Sequence, residues 1–307
     1  MNYLTLIIPY FLKRKKGKFM KITYYDNRVE LTDTNDFNIT EILECGQCFR
    51  FTRSDEGTYR IIALDRVLDI RQTADKIIFS PCTAADFDSL WYNYFDLGTD
   101  YKKIKEIISK DDPVMQKAVE YAGGIRLLNQ EPFETLISFI ISQNNNIPRI
   151  KGIISRLSKA YGRAFDENDS FFPDLAALAN VKNEDYMSLG TGFRAKYLCD
   201  CTKKLLNKEI DLSALSDMSA EDAKKELLKI KGVGPKVADC VLLFSLGKRD
   251  MYPVDVWVKR VTELLYFDGK DTPKEEISAF AAKKWGKYAG YAQQYLFYYA
   301  RSEKLGV

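Results

Sequence analysis

The sequence contains no histidine. That absence excludes a Ser-His-Asp or Cys-His hydrolase, a His-liganded zinc enzyme and any imidazole general base. Net charge is also scarce, at +3 over 307 residues. Five of the positive charges sit in one run, Lys13, Arg14, Lys15, Lys16 and Lys18, and the remainder of the chain is slightly acidic. Overall charge therefore does not mark a nucleic-acid binder, and any such surface has to be local. No apolar run is long enough to span a bilayer. Tyr3–Leu12 is too short, and its basic run follows the apolar one, the reverse of a secretory signal. Residues 1–19 read as a poorly ordered extension with Met20 as the functional start, an interfacial anchor being the alternative. With no secretory signal, the cysteines at 45, 48, 82, 199, 201 and 240 are expected as reduced thiols in a cytoplasm.

What is present is the composition of an ordinary globular protein, long enough for two packed domains. From Met20 to about Pro81 the pattern is one of short β-runs, Lys21–Tyr25, Arg28–Thr32, Tyr59–Leu64, Arg66–Thr73 and Lys76–Pro81. Their spacing predicts an antiparallel meander. From Ala85 onward the periodicity is helical. Pro132 opens a run with Leu136, Ile137 and Ile140 at helical spacing, and Ser219–Asp222 and Thr272–Glu275 read as capping boxes. The fold class is α+β: an extension over 1–19, a β-sheet domain with following helices over 20–130, and a two-lobed all-helical body over 131–307.

The most informative stretch is Leu227-Leu-Lys-Ile-Lys-Gly-Val-Gly-Pro-Lys-Val-Ala-Asp-Cys240. A helix ends near Ile230, Gly232 and Gly234 make a tight hairpin whose glycines permit positive φ, and Pro235 opens a second helix. Unpaired N–H groups at the new helix start form an anion site suited to a DNA phosphate. Taken alone, Gly-Val-Gly is an ordinary glycine turn between two helices. Lys236 in the first turn, followed about twenty residues on by Tyr252-Pro-Val-Asp255-Val-Trp257, changes that reading.

This pairing resembles the helix-hairpin-helix glycosylase superfamily, in which a lysine at the position of Lys236 marks the members that attack the sugar with an amine. The run through Val237-Ala-Asp-Cys240 is similar to the 8-oxoguanine DNA glycosylases of the eukaryotic type. The likeness recurs in Cys45-Gly-Gln-Cys-Phe-Arg-Phe51, Gly124–Pro132 with Phe139–Ile150, Leu189–Tyr197 and Trp285–Phe297, and covers about residues 20–303.

The resemblance implies a bifunctional DNA glycosylase and AP lyase that flips 8-oxoguanine from duplex DNA, cleaves its glycosidic bond through a lysine Schiff base and nicks the strand by β-elimination. It implies Lys236 as nucleophile, which attacks only as the neutral amine, and Asp255 as stabiliser of the cationic sugar. A lone lysine at a helix start is more simply a phosphate contact, and a lone Asp after Pro-Val a helix N-cap. Cys240 and Phe297 are implied to sandwich the purine, Gln293 to bond its Watson–Crick edge, and the Gly46 carbonyl to accept from the N7–H that only the oxidised base carries; otherwise Cys240 and Phe297 are core residues. Asn144 is implied to fill the gap in the duplex, Phe193 to act as an aromatic wedge, and Arg149 and Arg194 to contact the orphaned cytosine. Gly232, Gly234 and Val237 are implied to contact the DNA backbone.

One departure stands out: where eukaryotic members carry a histidine two residues beyond the aspartate, this chain has Trp257, which leaves that backbone contact and the gating of the pocket open. Cys45-x-x-Cys48 has no second pair and no histidine to complete a zinc site, and no cysteine follows Cys240, so the iron–sulfur loop of relatives such as endonuclease III is absent. The expectation is an enzyme without metal or cofactor, monomeric, cytoplasmic and nucleoid-associated in a prokaryote, whose partner is duplex DNA carrying 8-oxoguanine opposite cytosine. Two alternatives stay open: an alkylpurine glycosylase that uses water and aspartate without a lysine, and a non-catalytic helix-hairpin-helix DNA-binding module.

Overall fold

The computed structural model describes residues 20–305; the extension expected over 1–19 lies outside the described residues. Six strands form one antiparallel sheet: β1 (Lys21–Tyr25), β2 (Arg28–Thr32), β3 (Phe51–Arg53), β4 (Tyr59–Ala63), β5 (Arg66–Gln72) and β6 (Ile77–Ser80). Their order, β1-β2-β6-β5-β4-β3, is not the simple meander that the spacing predicts, because β2 pairs with β6. The chain leaves the sheet after β2 to form α1 (Ile39–Glu44), started by Asn38, whose side chain accepts from the Thr40 and Glu41 N–H groups. It re-enters at the far edge as β3, a short strand that the periodicity does not reveal. Val29, Phe79, Ile70 and Tyr59 are cross-strand neighbours in one row and are all buried. That row is one apolar face of the sheet. Against it pack Phe87, Trp91 and Phe95, from a helical segment made of α2 (Ala84–Asp86), a wider turn over Phe87–Trp91 and α3 (Tyr92–Tyr94).

The helical body follows: α4 (Tyr101–Ile108), α5 (Pro113–Tyr121), α6 (Pro132–Ser142), α7 (Ile147–Tyr161), α8 (Asn183–Ser188), α9 (Ala195–Leu206), α10 (Ala220–Leu228), α11 (Pro235–Phe244), α12 (Val256–Tyr266), α13 (Lys274–Trp285) and α14 (Ala289–Ser302). Helices α6 and α11 are buried almost all round and stack Phe139 on Phe244, with centroids 5.6 Å apart, at the centre of the body. Ser219 caps α10 through the Asp222 N–H, as its spacing predicts. Thr272 does not cap α13. Its N–H is drawn to Glu263 and its hydroxyl to the Lys270 carbonyl, so the helix starts one residue later behind Pro273. No helix among the described residues is long and apolar enough to cross a membrane.

Met115, Ala118, Ile125 and Leu127 pack in the core of the helical body, and Leu128 in that of the sheet. The segment Gly124–Glu131 is the strap between them. Arg126, 2% exposed, donates to the carbonyls of Phe95 (3.0 Å), Asp36 (2.9 Å), Asp96 (2.7 Å) and Thr99 (3.1 Å), with its guanidinium 4.1 Å from the Tyr101 ring centroid. Gln47, fully buried, donates to the Arg126 carbonyl at 2.8 Å and accepts from the Leu128 N–H at 2.9 Å. Glu131 ends the strap by capping α6. Arg126→Met keeps the volume but leaves buried carbonyls without donors, each worth about 1–3 kcal/mol. The variant is expected to lose roughly 3 kcal/mol or more of stability in urea unfolding; a loss below about 1 kcal/mol would show that water replaces the guanidinium.

Candidate active site

The hairpin between α10 and α11 turns at Gly232, whose φ is +84° and whose added Cβ would lie 2.3 Å from the Tyr197 ring. Glycine is required there twice over, by conformation and by contact. Gly234 differs from the expectation for both glycines. It is the extended N-cap of α11, with φ −96°, and a Cβ on it would meet nothing within 4 Å. What Gly234 leaves is open space in front of the first N–H groups of α11, where an anion can approach. Val237 is buried, so only its backbone N–H in that first turn faces outward chemistry.

Lys236, second residue of α11, enters a cavity of about 180 Å³. The walls come from distant parts of the chain: Gly46 from the loop after α1, Phe139 from α6, Lys236 and Cys240 from α11, Asp255 before α12, and Gln293 and Phe297 from α14. Every residue assigned to catalysis or to the purine in the sequence reading thus lines one cavity. The Lys236 amine lies 5.0 Å from the centre of the Phe139 ring and beside the Cys240 thiol. Burial pushes that thiol up to about 12, although the Lys236 ammonium beside it pulls the other way. Cys240 is therefore an apolar wall and not a second nucleophile. Asp255 is the N-cap of α12 and accepts from the Val258 N–H at 2.7 Å, which fixes its carboxylate at the cavity wall.

Two polar groups in this cavity have no hydrogen-bond partner among the described residues. Gln293 is 5% exposed, and its side-chain oxygen is buried without a hydrogen-bond partner. Such an atom costs about 1–3 kcal/mol unless a ligand completes it. Among the described residues nothing donates to the Gly46 carbonyl, although its neighbours Cys45 and Gln47 both have theirs occupied. Gly46 has φ +83°, and a Cβ there would close to 3.4 Å on Phe297. Trp257 packs edge-on against Phe297 with centroids 5.5 Å apart, so the chain's departure from histidine supports the pocket wall.

Outside the cavity, Asn144 and Arg149 are exposed and Phe193 is 50% exposed on the side where α6 gives way to α7. Asn144 adopts a left-handed backbone, φ +45°. Arg194 is not on this open face. It is 2% exposed and donates to the carbonyls of Gln143, Asn144 (2.7 Å) and Thr191 (3.1 Å), bracing the turn that presents Asn144. Among the described residues, the Arg149 side chain makes one hydrogen bond, at 3.3 Å to the Gly190 carbonyl. The thiols of Cys45 and Cys48 are free and packed in different cores, Cys45 with the helices and Cys48 with the sheet. Burial pushes Cys45 up to about 11 and also raises Cys48 well above the ordinary thiol value. Residues that the sequence reading left without a role include Phe139, beside the amine, and Gln294 and Arg301, which bond the carbonyls next to Gly46. Gln294 and Phe139 stand inside quoted motifs, but a buried glutamine beside a reading glutamine gives no separate signal in the chain.

Residues 29–136 match the family described as the 8-oxoguanine DNA glycosylase N-terminal domain, and residues 137–287 the HhH-GPD superfamily of base excision DNA repair proteins. A probable N-glycosylase/DNA lyase of Methanothermobacter thermautotrophicus is 32% identical over 234 residues, which are 69% of this chain and 74% of the relative. The 8-oxoguanine glycosylase/lyase of Clostridium acetobutylicum, solved with double-stranded DNA containing cytosine opposite to 8-oxoG, is 38% identical. It superimposes with a TM-score of 0.90 over 94% of this chain and 99% of its own. The 3-methyladenine DNA-glycosylase of Archaeoglobus fulgidus shares the fold, with a TM-score of 0.71 over 90% of this chain and 99% of its own at 20% identity.

A thiol held near 12 is almost wholly protonated at pH 8, with roughly a thousandth of the thiolate of an ordinary cysteine. Iodoacetamide at pH 8 is expected to leave Cys240 unlabelled in the native protein long after a free cysteine peptide has reacted, as read by peptide mass spectrometry. Labelling of Cys240 at the peptide's rate would mean that Lys236 holds it as a thiolate.

Proposed function

We infer the function from the premise that this chain belongs to the 8-oxoguanine DNA glycosylases of the HhH-GPD superfamily of base excision DNA repair proteins. It is a DNA glycosylase and AP lyase that releases 8-oxoguanine from duplex DNA. The observation that carries the reading is the single cavity in which an amine, a fixed carboxylate, a partnerless glutamine oxygen and a free backbone carbonyl converge. At about 180 Å³ it is somewhat larger than a void of ~150 Å³ that holds benzene. A flipped base suits it better than an intact duplex, which cannot bring the sugar to Lys236.

The residue roles are those that the family resemblance implies, and the shared cavity supports them. The Lys236 amine attacks C1′ as the bond to the base breaks, and the base departs with the electron pair. Opening of the sugar leaves an imine between Nζ and C1′; loss of a proton at C2′ then expels the 3′ phosphate. Asp255, immobilised by its cap bond, stabilises the positive charge that develops on the sugar. Gln293 completes its amide on the Watson–Crick edge, and Cys240 and Phe297 cover the two faces of the ring. Guanine and its oxidised form share that edge and differ at N7, a donor in the lesion and an acceptor in guanine. The Gly46 carbonyl rewards the first and repels the second. The presence of Lys236 at the cavity argues against a water-and-aspartate alkylpurine enzyme, and the cavity itself against a purely DNA-binding module.

Lys236→Gln is expected to abolish base release and borohydride cross-linking while binding of lesion duplex is largely retained, since affinity comes mainly from phosphates. Cross-linking by the purified variant would remove the lysine from this role. Asp255→Asn is the informative companion, because asparagine caps helices as well as aspartate does. Its melting temperature should stay near that of the wild type, while the single-turnover rate falls by orders of magnitude. A near-normal rate would reduce Asp255 to a cap.

On the opposite strand, Arg149 is free to read an orphaned cytosine, whereas Arg194 is committed to the Asn144 turn. Cleavage opposite cytosine should exceed cleavage opposite adenine by roughly tenfold or more, the worth of one unpaired buried donor. Arg149→Ala should narrow that ratio. Arg194→Ala should depress cleavage opposite every base alike. If instead Arg194→Ala narrows the ratio as Arg149→Ala does, Arg194 leaves its turn when DNA binds and reads the base itself.

A further inference from the structure

In the loop that carries Gly46, side chains hold the carbonyls of Glu44, Cys45 and Gln47, and among the described residues none holds that of Gly46. Arg301 donates to the Glu44 carbonyl at 2.6 Å, Gln294 to the Cys45 carbonyl at 2.8 Å and Gln130 to the Gln47 carbonyl at 2.7 Å. Beneath them Gln47 anchors its own side chain on Ile42, Arg126 and Leu128. Gln294 is 2% exposed and sits next to Gln293 on α14. The neighbour of Gln293 thus lines the same cavity, and its amide is engaged by the loop through the Cys45 carbonyl.

The need for such clamps follows from glycine itself. At φ +83°, a conformation that L side chains rarely adopt, residue 46 favours glycine. Glycine, though, restricts its peptide least of all residues. Rotation of the peptide between Gly46 and Gln47 would turn the carbonyl away from the cavity and bring the Gln47 N–H towards it. That inversion would reward the N7 acceptor of undamaged guanine and repel the lesion. Selectivity by a backbone carbonyl is only as good as the orientation of that peptide.

We propose that Gln294 and Gln130 are specificity-determining positioning residues, which lock the peptides on either side of the Gly46–Gln47 peptide so that the Gly46 carbonyl is presented to N7 of the flipped base. Both act through carbonyls of the loop. Gln294 fixes the preceding peptide plane through the Cys45 carbonyl, and Gln130 fixes the following one through the Gln47 carbonyl. A group aimed before the ligand arrives need not be ordered on binding, which is how preorganised dipoles gain their selectivity. The inference rests on the reading of Gly46 given above.

The test crosses a variant with a change in the base. Full-length wild type and Gln294→Met, which keeps the length and loses the donor, are titrated with three duplexes. These carry 8-oxoguanine, 8-bromoguanine (bulk at C8 but an acceptor at N7) or a tetrahydrofuran abasic analogue. Wild type should prefer 8-oxoguanine to 8-bromoguanine. Gln294→Met should lose about tenfold on 8-oxoguanine, the worth of one buried hydrogen bond, with less than about a twofold change on the other two. Equal losses on all three duplexes would make Gln294 a packing residue only and overturn the proposal, as would an unchanged preference. Should Gln294→Met fail to fold, Gln130→Met, at a partly exposed position, is held to the same pattern. A wild type without the preference would instead sink the role of Gly46, so the two failures are distinguishable.

Discussion

Everything at the cavity depends on the buried guanidinium of Arg126 and the amide of Gln47 that meets its carbonyl. The sheet contributes one indispensable element, the loop after α1, and the helices contribute the rest. The two cores are separate clusters, so packing of one against the other cannot by itself fix their register to a few tenths of an ångström. Hydrogen bonds have a sharper dependence on distance and angle than apolar contact does. The strap Gly124–Glu131 exploits that: it threads four carbonyls onto one side chain and hands the frame on to Gln47, Gln130 and α6. A dry, fully satisfied polar network of this kind specifies a single arrangement, which is what a pocket assembled from both halves requires.

The chemistry-bearing residues were legible because their types and spacing are rare, and the comparisons with known proteins agree with the family they resemble. Geometry was less legible. Five strands stand out by β-branched and aromatic alternation, whereas β3, three residues long from the last residue of the Cys45–Phe51 motif, has no room for a period. The return of β6 to β2 is a tertiary choice invisible to local spacing. Thr272 shows the limit of capping patterns, since Glu263 competes for its N–H from nine residues away. Gly234 and Arg194 show the same limit at the site. Composition says that a glycine can adopt positive φ and that an arginine can extend from the surface, but neighbours decide the conformation: Gly234 is extended, and Arg194 is buried on three carbonyls.

Asp255 joins local structure to chemistry in one atom pair. A carboxylate that begins a helix is stabilised there by the N–H groups and partial positive charge of the helix end. The same bond that caps α12 removes rotamer freedom from the group proposed to face the sugar. Trp257, two residues on, presses its edge on Phe297 and so extends the rigid wall from α12 to α14. Catalytic placement here is a by-product of how the helix starts.

The left-handed turn at Asn144 has a consequence in time. A non-glycine residue at φ +45° is strained by about 1 kcal/mol or more, and Arg194 holds it there with bonds to both flanking carbonyls. That strain is met once, when the chain folds, and not at each encounter with a duplex. On the proposed reading, the protein arrives at every base pair with its gap-filling residue already in shape, beside a phenyl ring half open to water. The slow coordinate of the search then belongs to the DNA, in the breathing of the pair being tested, and a weakened pair is found by its own mobility.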